Sequence, residues 1–205
     1  MGPEEIPDIV ISRLPIYLRA LTRLQTDGQE ITSSKELGER LGISSAQIRK
    51  DLSHFGEFGK QGTGYEIKKL VDQLRRILKV EREWDIALVG AGAIGHALAH
   101  YNGFTDRGFR ISMIFDNDPA IVGTRINGFE VRDVSRLSEL IQQHNIALAM
   151  VAVPAESAQA VTDELVKSGV RGILNYAPIN LSTPDNVHVQ YIDPVVHLQR
   201  ITYYV

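Results

Sequence analysis

Residues 85–95 read DIALVGAGAIG, an apolar strand that runs into G-x-G-x-x-G and opens a helix. Strand, glycines and helix in that order form the phosphate-binding turn of a dinucleotide fold. Gly90 permits the tight turn. Gly92 lets the backbone approach a pyrophosphate, and Gly95 lets helix and strand pack closely. Ala93 and Ile94 fill the turn between them. The start of the helix presents N–H groups and a positive dipole end to the phosphates. Asp116 ends the next strand, 21 positions after Gly95. A carboxylate there accepts both ribose hydroxyls of adenosine. Asn117 and Asp118 follow it, with no Arg nearby to hold a 2′-phosphate, so NAD(H) is expected over NADP(H). Two later strand ends, Val153-Pro154-Ala155 and Asn175-Tyr176-Ala177-Pro178, fall at the carboxyl edge of such a sheet. Each either lines a nicotinamide pocket or is an ordinary turn.

Beyond this turn, strands and helices alternate. Strands are expected at 85–90, 110–116, 146–153, 171–175 and 187–192. Helices are expected at 93–102, 135–144, 155–168 and 194–203, with Asn127-Gly128 in a short loop before the second of them. The strands are near-continuous apolar runs, which predicts an α/β, parallel, doubly wound sheet.

The N-terminal part has a different pattern. Residues 9–25 carry Ile9, Leu14, Leu18, Leu21 and Leu24 at helical spacing, with Pro15 marking a first turn. Residues 33–55, SSKELGERLGISSAQIRKDLSHF, read as a helix-turn-helix. Ser33 or Ser34 caps a short helix, Gly42 makes the turn, and Ser44 caps a second helix over 45–55. That helix turns Ile48, Leu52 and Phe55 inward. Its outer face is Ser45, Gln47, Arg49, Lys50, Ser53 and His54. GEFGKQGTGYEI at 56–67 is a glycine-rich hairpin tip, or wing. A basic amphipathic helix follows over 66–80, and the domain boundary falls near Trp84.

The second helix suits a major groove. Arg49 matches guanine O6 and N7, and Lys50 reaches guanine or phosphate. Ser44, Ser45 and Gln47 can touch phosphates or base edges. Lys60 and Gly62 in the wing suit a minor groove. The competing reading of Arg49-Lys50-Asp51 is a solvated charged face.

Composition narrows the choice further. The chain has 205 residues, is 43% apolar and 23% charged, and contains no cysteine. That excludes disulfides, thiolate metal sites and a thiol switch. Residues 1–80 carry +2 and residues 81–205 carry −5. Placement of charge must therefore matter more than its total. No apolar run matches a membrane span, and MGPEEIPDIV fits neither a signal peptide nor a myristoylation site, so a cytoplasmic location is expected. His96 and His100 share a helix face but lack an evident third ligand, so no metal is expected. Tyr65-x-x-x-Lys69 matches a dehydrogenase pattern but precedes the glycine turn, in the wing, and is taken as chance. No acid–base constellation is evident, and no room remains for a substrate domain. A protein whose grip on DNA depends on a nicotinamide cofactor is expected; a small NAD-dependent oxidoreductase with an accessory N-terminal domain is the alternative.

The motifs S-R-L-P-x-Y-L-R at 12–19, T-S-S-x-E-L at 32–37, Q-I-R-K-D-L-S-x-F-G at 47–56, G-x-G-Y at 62–65 and I-L-N-Y-A-P at 173–178 are spaced as in one family. The chain resembles the Rex family of bacterial redox-sensing repressors. The resemblance implies a winged helix-turn-helix domain over 1–80, a Rossmann NAD(H)-binding domain over 81–192, and a last helix, 193–205, swapped onto the partner of a homodimer. It implies a repressor that senses the NADH/NAD⁺ ratio. The dimer would bind palindromic double-stranded operator DNA when NADH is scarce, and NADH, with NAD⁺ competing, would release it. It places Tyr101 near the nicotinamide, and Arg19, Tyr101 and Asp193 in a polar switch. Spacing alone reads Asp193 as the cap before Pro194. Ala93-Ile94, Gln61 and Pro194 depart from the usual pattern of the family.

Overall fold

The computed structural model describes residues 6–56, 58–60 and 64–205. The chain divides into two compact units, Met1–Arg82 and Glu83–Val205.

In the first unit, α1 (Asp8–Ile11) and α2 (Leu14–Thr26) replace the single helix expected over 9–25. Pro15 explains the break. Its ring would clash with the carbonyl four residues back, that of Ile11, so the helix restarts with Pro15 in its first turn. Strand β1 (Ile31–Thr32), α3 (Ser34–Leu41) and α4 (Ser45–Ser53) follow. Then come β2 (Gly59–Lys60), β3 (Gly64–Glu66) and α5 (Ile67–Ile77). The three strands form one antiparallel sheet in the order β1-β3-β2. Ser33 caps α3 through the Glu36 N–H, and Gly42, left-handed at φ +67°, turns the chain into α4. Leu14, Tyr17, Leu21 and Leu24 of α2 pack with Leu37, Ile48, Leu52, Ile67, Leu70 and Leu74 in one buried cluster. This is a winged helix-turn-helix.

The second unit opens with β4 (Trp84–Val89), α6 (Ala93–Ala99) and β5 (Phe109–Asp116). Helix α6 stops short of the expected 102, because the Asn102-Gly103 turn follows His100. Between β5 and the next helix the chain forms a hairpin, β6 (Arg125–Ile126) and β7 (Phe129–Asp133), where only a loop was expected. Asn127 and Gly128 both have positive φ, +48° and +83°, as a two-residue hairpin turn requires. Helix α7 (Leu137–His144), β8 (Leu148–Val151), α8 (Ala155–Ser168), β9 (Gly172–Asn175), β10 (His188–Tyr191) and α9 (Pro194–Thr202) complete the unit.

The sheet runs β10-β9-β8-β4-β5-β7-β6, parallel except for β6 at one edge. From β4 the chain builds outward through β5 and β7, then returns to start β8 on the other side of β4. Reversal of direction at a central strand leaves a crevice at its carboxyl end, and Gly90 stands there. One face of the sheet packs on α7 and α8 through Leu137, Leu140, Ile141, Ala158 and Leu165. The other receives Ala91 and Ala99. Helix α9 buries none of its residues and exposes Val195, Val196, Leu198 and Ile201.

Phe115 on β5 is fully buried. Phe115→Ala is expected to cost about 3–5 kcal/mol. Denaturant unfolding followed through Trp84, the one tryptophan, reads that loss directly.

Candidate functional site

The three glycines of the turn do three different jobs. Gly90 has φ +99°, and a Cβ there would overlap the carbonyl of Ala152 after β8. A Cβ on Gly95 would overlap the carbonyl of Gly90, so this glycine lets α6 lie directly on the turn. Gly92 has an ordinary φ of −66°, and a Cβ there would meet nothing within 4 Å. Its missing side chain leaves open space rather than relieving a clash. Gly92 caps α6 without any side-chain hydrogen bond, and the N–H groups of the first turn, including Ala93 and Ile94, have no intrahelical acceptors. That arrangement suits a phosphate.

Asp116 closes the other side. Its Oδ2 accepts the Ala91 N–H at 2.7 Å, and its Oδ1 accepts the Asp118 N–H at 2.9 Å. Each oxygen keeps a lone pair for a ribose hydroxyl. The acid is thus tied to the turn itself. Val153 lies against Gly90, and Pro154 caps α8. Tyr101 is half exposed, edge-on to Phe104 at 4.9 Å, with the Arg107 guanidinium 3.5 Å from its hydroxyl.

Asn175 closes the second of the two strand ends, the carboxyl end of β9. Its side chain is fully engaged in holding its own loop. Nδ2 donates to the Ala177 and Ile179 carbonyls, and Oδ1 accepts the Ala177 N–H. It shapes the crevice edge and leaves no amide free for a ligand. The His96 and His100 rings stack at 4.5 Å, and the described residues hold no cluster of three metal-ligating side chains. Lys69 pairs with Glu66, not Tyr65.

In the first unit, Arg49 and Lys50 are exposed on α4. The Arg49 guanidinium donates to Ser34 Oγ at 3.1 Å. Burial pushes the Tyr65 hydroxyl up in pKa, with nearby Arg49 and the Ser34 hydrogen bond opposing it. Tyr65 and Ser34 therefore flank Arg49. Ser44 spends its hydroxyl on the Gln47 N–H, 3.2 Å away, and Ser45 is half-buried beside it. Lys60 lies on β2, and Gly62 and Gln61 lie outside the described residues.

Gln47, expected on the outer face, turns inward. It sits four residues before Asp51, hence on the same face, and its Nε2 donates to Asp51 Oδ1 at 2.7 Å. Asp51 itself is the residue that sequence reasoning missed. Arg49 and Lys50 are solvated, but Asp51 is fully buried. Arg13 grips it with two hydrogen bonds, Nε to Oδ2 at 2.6 Å and Nη2 to Oδ1 at 2.7 Å. The Tyr17 hydroxyl donates to Oδ2 at 2.6 Å. With Gln47, four donors fill the carboxylate's acceptor sites. Burial alone would raise the Asp51 pKa, but the hydrogen bonds from Arg13, Tyr17 and Gln47 outweigh it and hold the carboxyl below its ordinary value. Burial, then the bond to Asp51, pushes the Tyr17 hydroxyl well above the usual tyrosine range.

The expected switch residues fall in both units. Arg19 is exposed on α2 in the first. Asp193, in the second, caps α9 by accepting the Val195 N–H at 2.9 Å, as its position before Pro194 predicts.

Comparison with known proteins bears on both units. A family model described as "CoA binding domain" matches residues 81–179, and one described as "Putative DNA-binding protein N-terminus" matches 5–53. A protein of Roseiflexus sp. (strain RS-1) named redox-sensing transcriptional repressor Rex is 53% identical over 98% of this chain and 91% of its own length. The chain belongs to the Rex family. A Rex from Chloroflexus aurantiacus (strain ATCC 29366 / DSM 635 / J-10-fl) is 50% identical over 97% of this chain and 93% of its own. The solved structure of RSP, a Rex-family repressor, in complex with β-NAD⁺ and operator DNA is 35% identical. It aligns with a TM-score of 0.93 over 98% of this chain and 93% of its own. RSP in complex with β-NADH aligns with a TM-score of 0.89 at 33% identity, over 98% and 94%. Rex relatives are named repressors, not enzymes, which sets the oxidoreductase alternative aside.

The buried cluster gives the first unit a defined pH range. The lowered Asp51 pKa contributes stability above the unfolded carboxyl value of about 4, and that contribution is lost as pH falls through the folded value. The raised Tyr17 pKa contributes stability below the unfolded value of about 10, lost as pH rises beyond it. Thermal melts by circular dichroism should give a plateau between these limits. Tyr17→Phe should make the alkaline fall shallower, and an alkaline limb as steep as the parent's would contradict this account.

Proposed function

We propose that this Rex protein binds operator DNA through α4 and the β2–β3 wing, and that NADH seated on the Gly90–Gly95 turn releases it. The protein is a redox-sensing, DNA-binding transcriptional repressor and not an enzyme. Its ligand is NADH, with NAD⁺ competing for the same site. Relatives solved with NAD⁺ and operator DNA, and with NADH, support this reading. The observation that carries it is the pairing, in one chain, of an exposed Arg49-Lys50 face with a glycine turn open at Gly92.

The residues divide the work. The Gly92 backbone and the first turn of α6, with Ala93 and Ile94, hold the pyrophosphate, and Gly90 and Gly95 shape the turn. Asp116 takes the adenosine ribose. Val153, Pro154 and Tyr101 face the nicotinamide end. Arg49 and Lys50 read the major groove, Ser44 and Ser45 meet phosphate, and Lys60 with Gly62 serves the wing. Arg19, Tyr101 and Asp193 carry the signal between units. Residues 1–80 form the DNA-binding domain, 81–192 the NAD(H) domain, and 193–205 a helix exchanged in a homodimer. The exposed apolar side chains Val195, Val196, Leu198 and Ile201 on α9 support that last assignment, because such a face seeks cover. A repressor of this kind works in the cytoplasm, beside the DNA and the nicotinamide pool. Release requires only that NADH bind the DNA-incompetent arrangement better than the competent one.

Two measurements test this. NADH titrated into a protein–operator complex at fixed salt should dissociate it, and NAD⁺ should blunt the effect; unchanged binding refutes the proposal. Gly92→Ala adds a methyl group to open space at an ordinary φ, so stability should hold. The methyl occupies the pyrophosphate's place. This variant should bind operator like the parent and resist NADH.

A further inference from the structure

We infer that the buried cluster of Arg13, Tyr17, Gln47 and Asp51 fixes the rotation of α4 about its own axis, making Asp51 and Arg13 positioning residues for operator recognition. The inference rests on the reading of α4 as the groove helix.

The cluster joins two helices symmetrically. Arg13 and Tyr17 stand four residues apart at the start of α2, and Gln47 and Asp51 stand four apart on α4. Four of their hydrogen bonds converge on one carboxylate whose side chain is wholly buried, while that of Arg13 keeps 19% exposure. Successive residues of a helix are set about 100° apart. With Asp51 pointing at α2, Gln47, Ile48 and Leu52 fall within about 100° of it on the inner side. Arg49 and Lys50 then lie on either side of the outward direction, with Ser53 between them. The direction in which Arg49 and Lys50 project is therefore set by where Asp51 is held.

Apolar contacts specify that angle less sharply than directed bonds do. Ile48 and Leu52 pack against the α2 leucines, and such burial is non-directional. Apolar burial rewards area removed from water, whereas a directed bond rewards one orientation. A planar guanidinium bonded through two nitrogens to both oxygens of a carboxylate cannot follow a rotation of the helix without straining both bonds. The Tyr17 and Gln47 bonds hold the same carboxylate from two further directions. Bidentate readout of a base edge tolerates little angular error, whereas phosphate contacts from flexible lysines tolerate more. The cluster should thus govern discrimination between operator and other DNA more than affinity for DNA in general.

The test uses the full-length protein and two duplexes, one carrying an operator selected by this protein from a random pool and one of unrelated sequence. The paired substitution Arg13→Met/Asp51→Leu replaces the ion pair with apolar side chains, so no buried charge is orphaned. The expected result is a normal melt, parent-like NADH binding, at least tenfold weaker operator binding, and unrelated-duplex binding within about twofold. Parent-like operator affinity overturns the inference. So does an equal loss on both duplexes, the mark of a merely structural role. If the pair fails to fold, Arg13→Lys and Tyr17→Phe, which keep the charge balance, decide by the same ratio. Arg49→Ala runs alongside. If it spares operator binding, the reading of α4 as the groove helix fails. If it abolishes operator binding while the cluster variants do not, only the positioning role fails.

Discussion

A carboxylate leaves water only if other groups replace every hydrogen bond it gives up. In the first unit that constraint falls on Asp51, and it organises what surrounds it. Arg13 stands where α2 begins, at the break that Pro15 imposes on the helix. Tyr17 must be buried one turn further on. Gln47 must give up the surface. The apolar cluster of Leu14, Leu21, Leu37, Ile48, Leu52 and Leu70 then closes around a polar centre that admits one arrangement of α2 against α4. Apolar burial supplies the driving force and the ion pair supplies the angle. Removing one partner would leave a buried charge alone, at a cost of about 3–5 kcal/mol, so the geometry is also hard to lose.

The second unit is organised by a steric limit. Helix α6 can lie on the turn after β4 only because Gly95 has no side chain to strike the Gly90 carbonyl, and β8 can approach only because Gly90 has none to strike Ala152. Those two close approaches bring the first turn of α6, the end of β5 and the loop after β8 to one crevice. The Ala91–Asp116 hydrogen bond fastens the crevice across its floor. Nothing comparable constrains Gly92, where a Cβ would meet open space.

Local sequence carried much of this. The glycine turn and the Ser33, Ser44 and Asp193 caps depend on neighbours within a few residues, while Asp116 and the parallel strands follow from motif spacing and from continuous apolar runs; all stand where the sequence put them. Asp51 was illegible for the opposite reason. Its partner Arg13 is 38 positions away, and a window containing Arg49-Lys50-Asp51 shows only a charge run. The one local clue was its place four residues after Gln47 and next to Leu52, on the apolar stripe. Asn127-Gly128 did carry a signal for the missed hairpin, since Ile126, Phe129 and Val131 flank it in alternation. Two residues of β6 are too few to show a period by themselves. The strand end at Asn175 stayed open between pocket and turn, because only the path of the following loop shows that its amide is already spent.

The fastening of Asp116 to the glycine turn has one more result. On the proposed reading the turn and the acid meet pyrophosphate and adenosine, and those parts are chemically the same in the oxidised and reduced dinucleotides. This anchor is blind to the hydride. Both forms compete for one handle, and each dilutes the other's occupancy. A cell that doubled its whole nicotinamide supply would leave the repressor's setting almost untouched once the handle was saturated, whereas a shift in electron load at constant supply would move it.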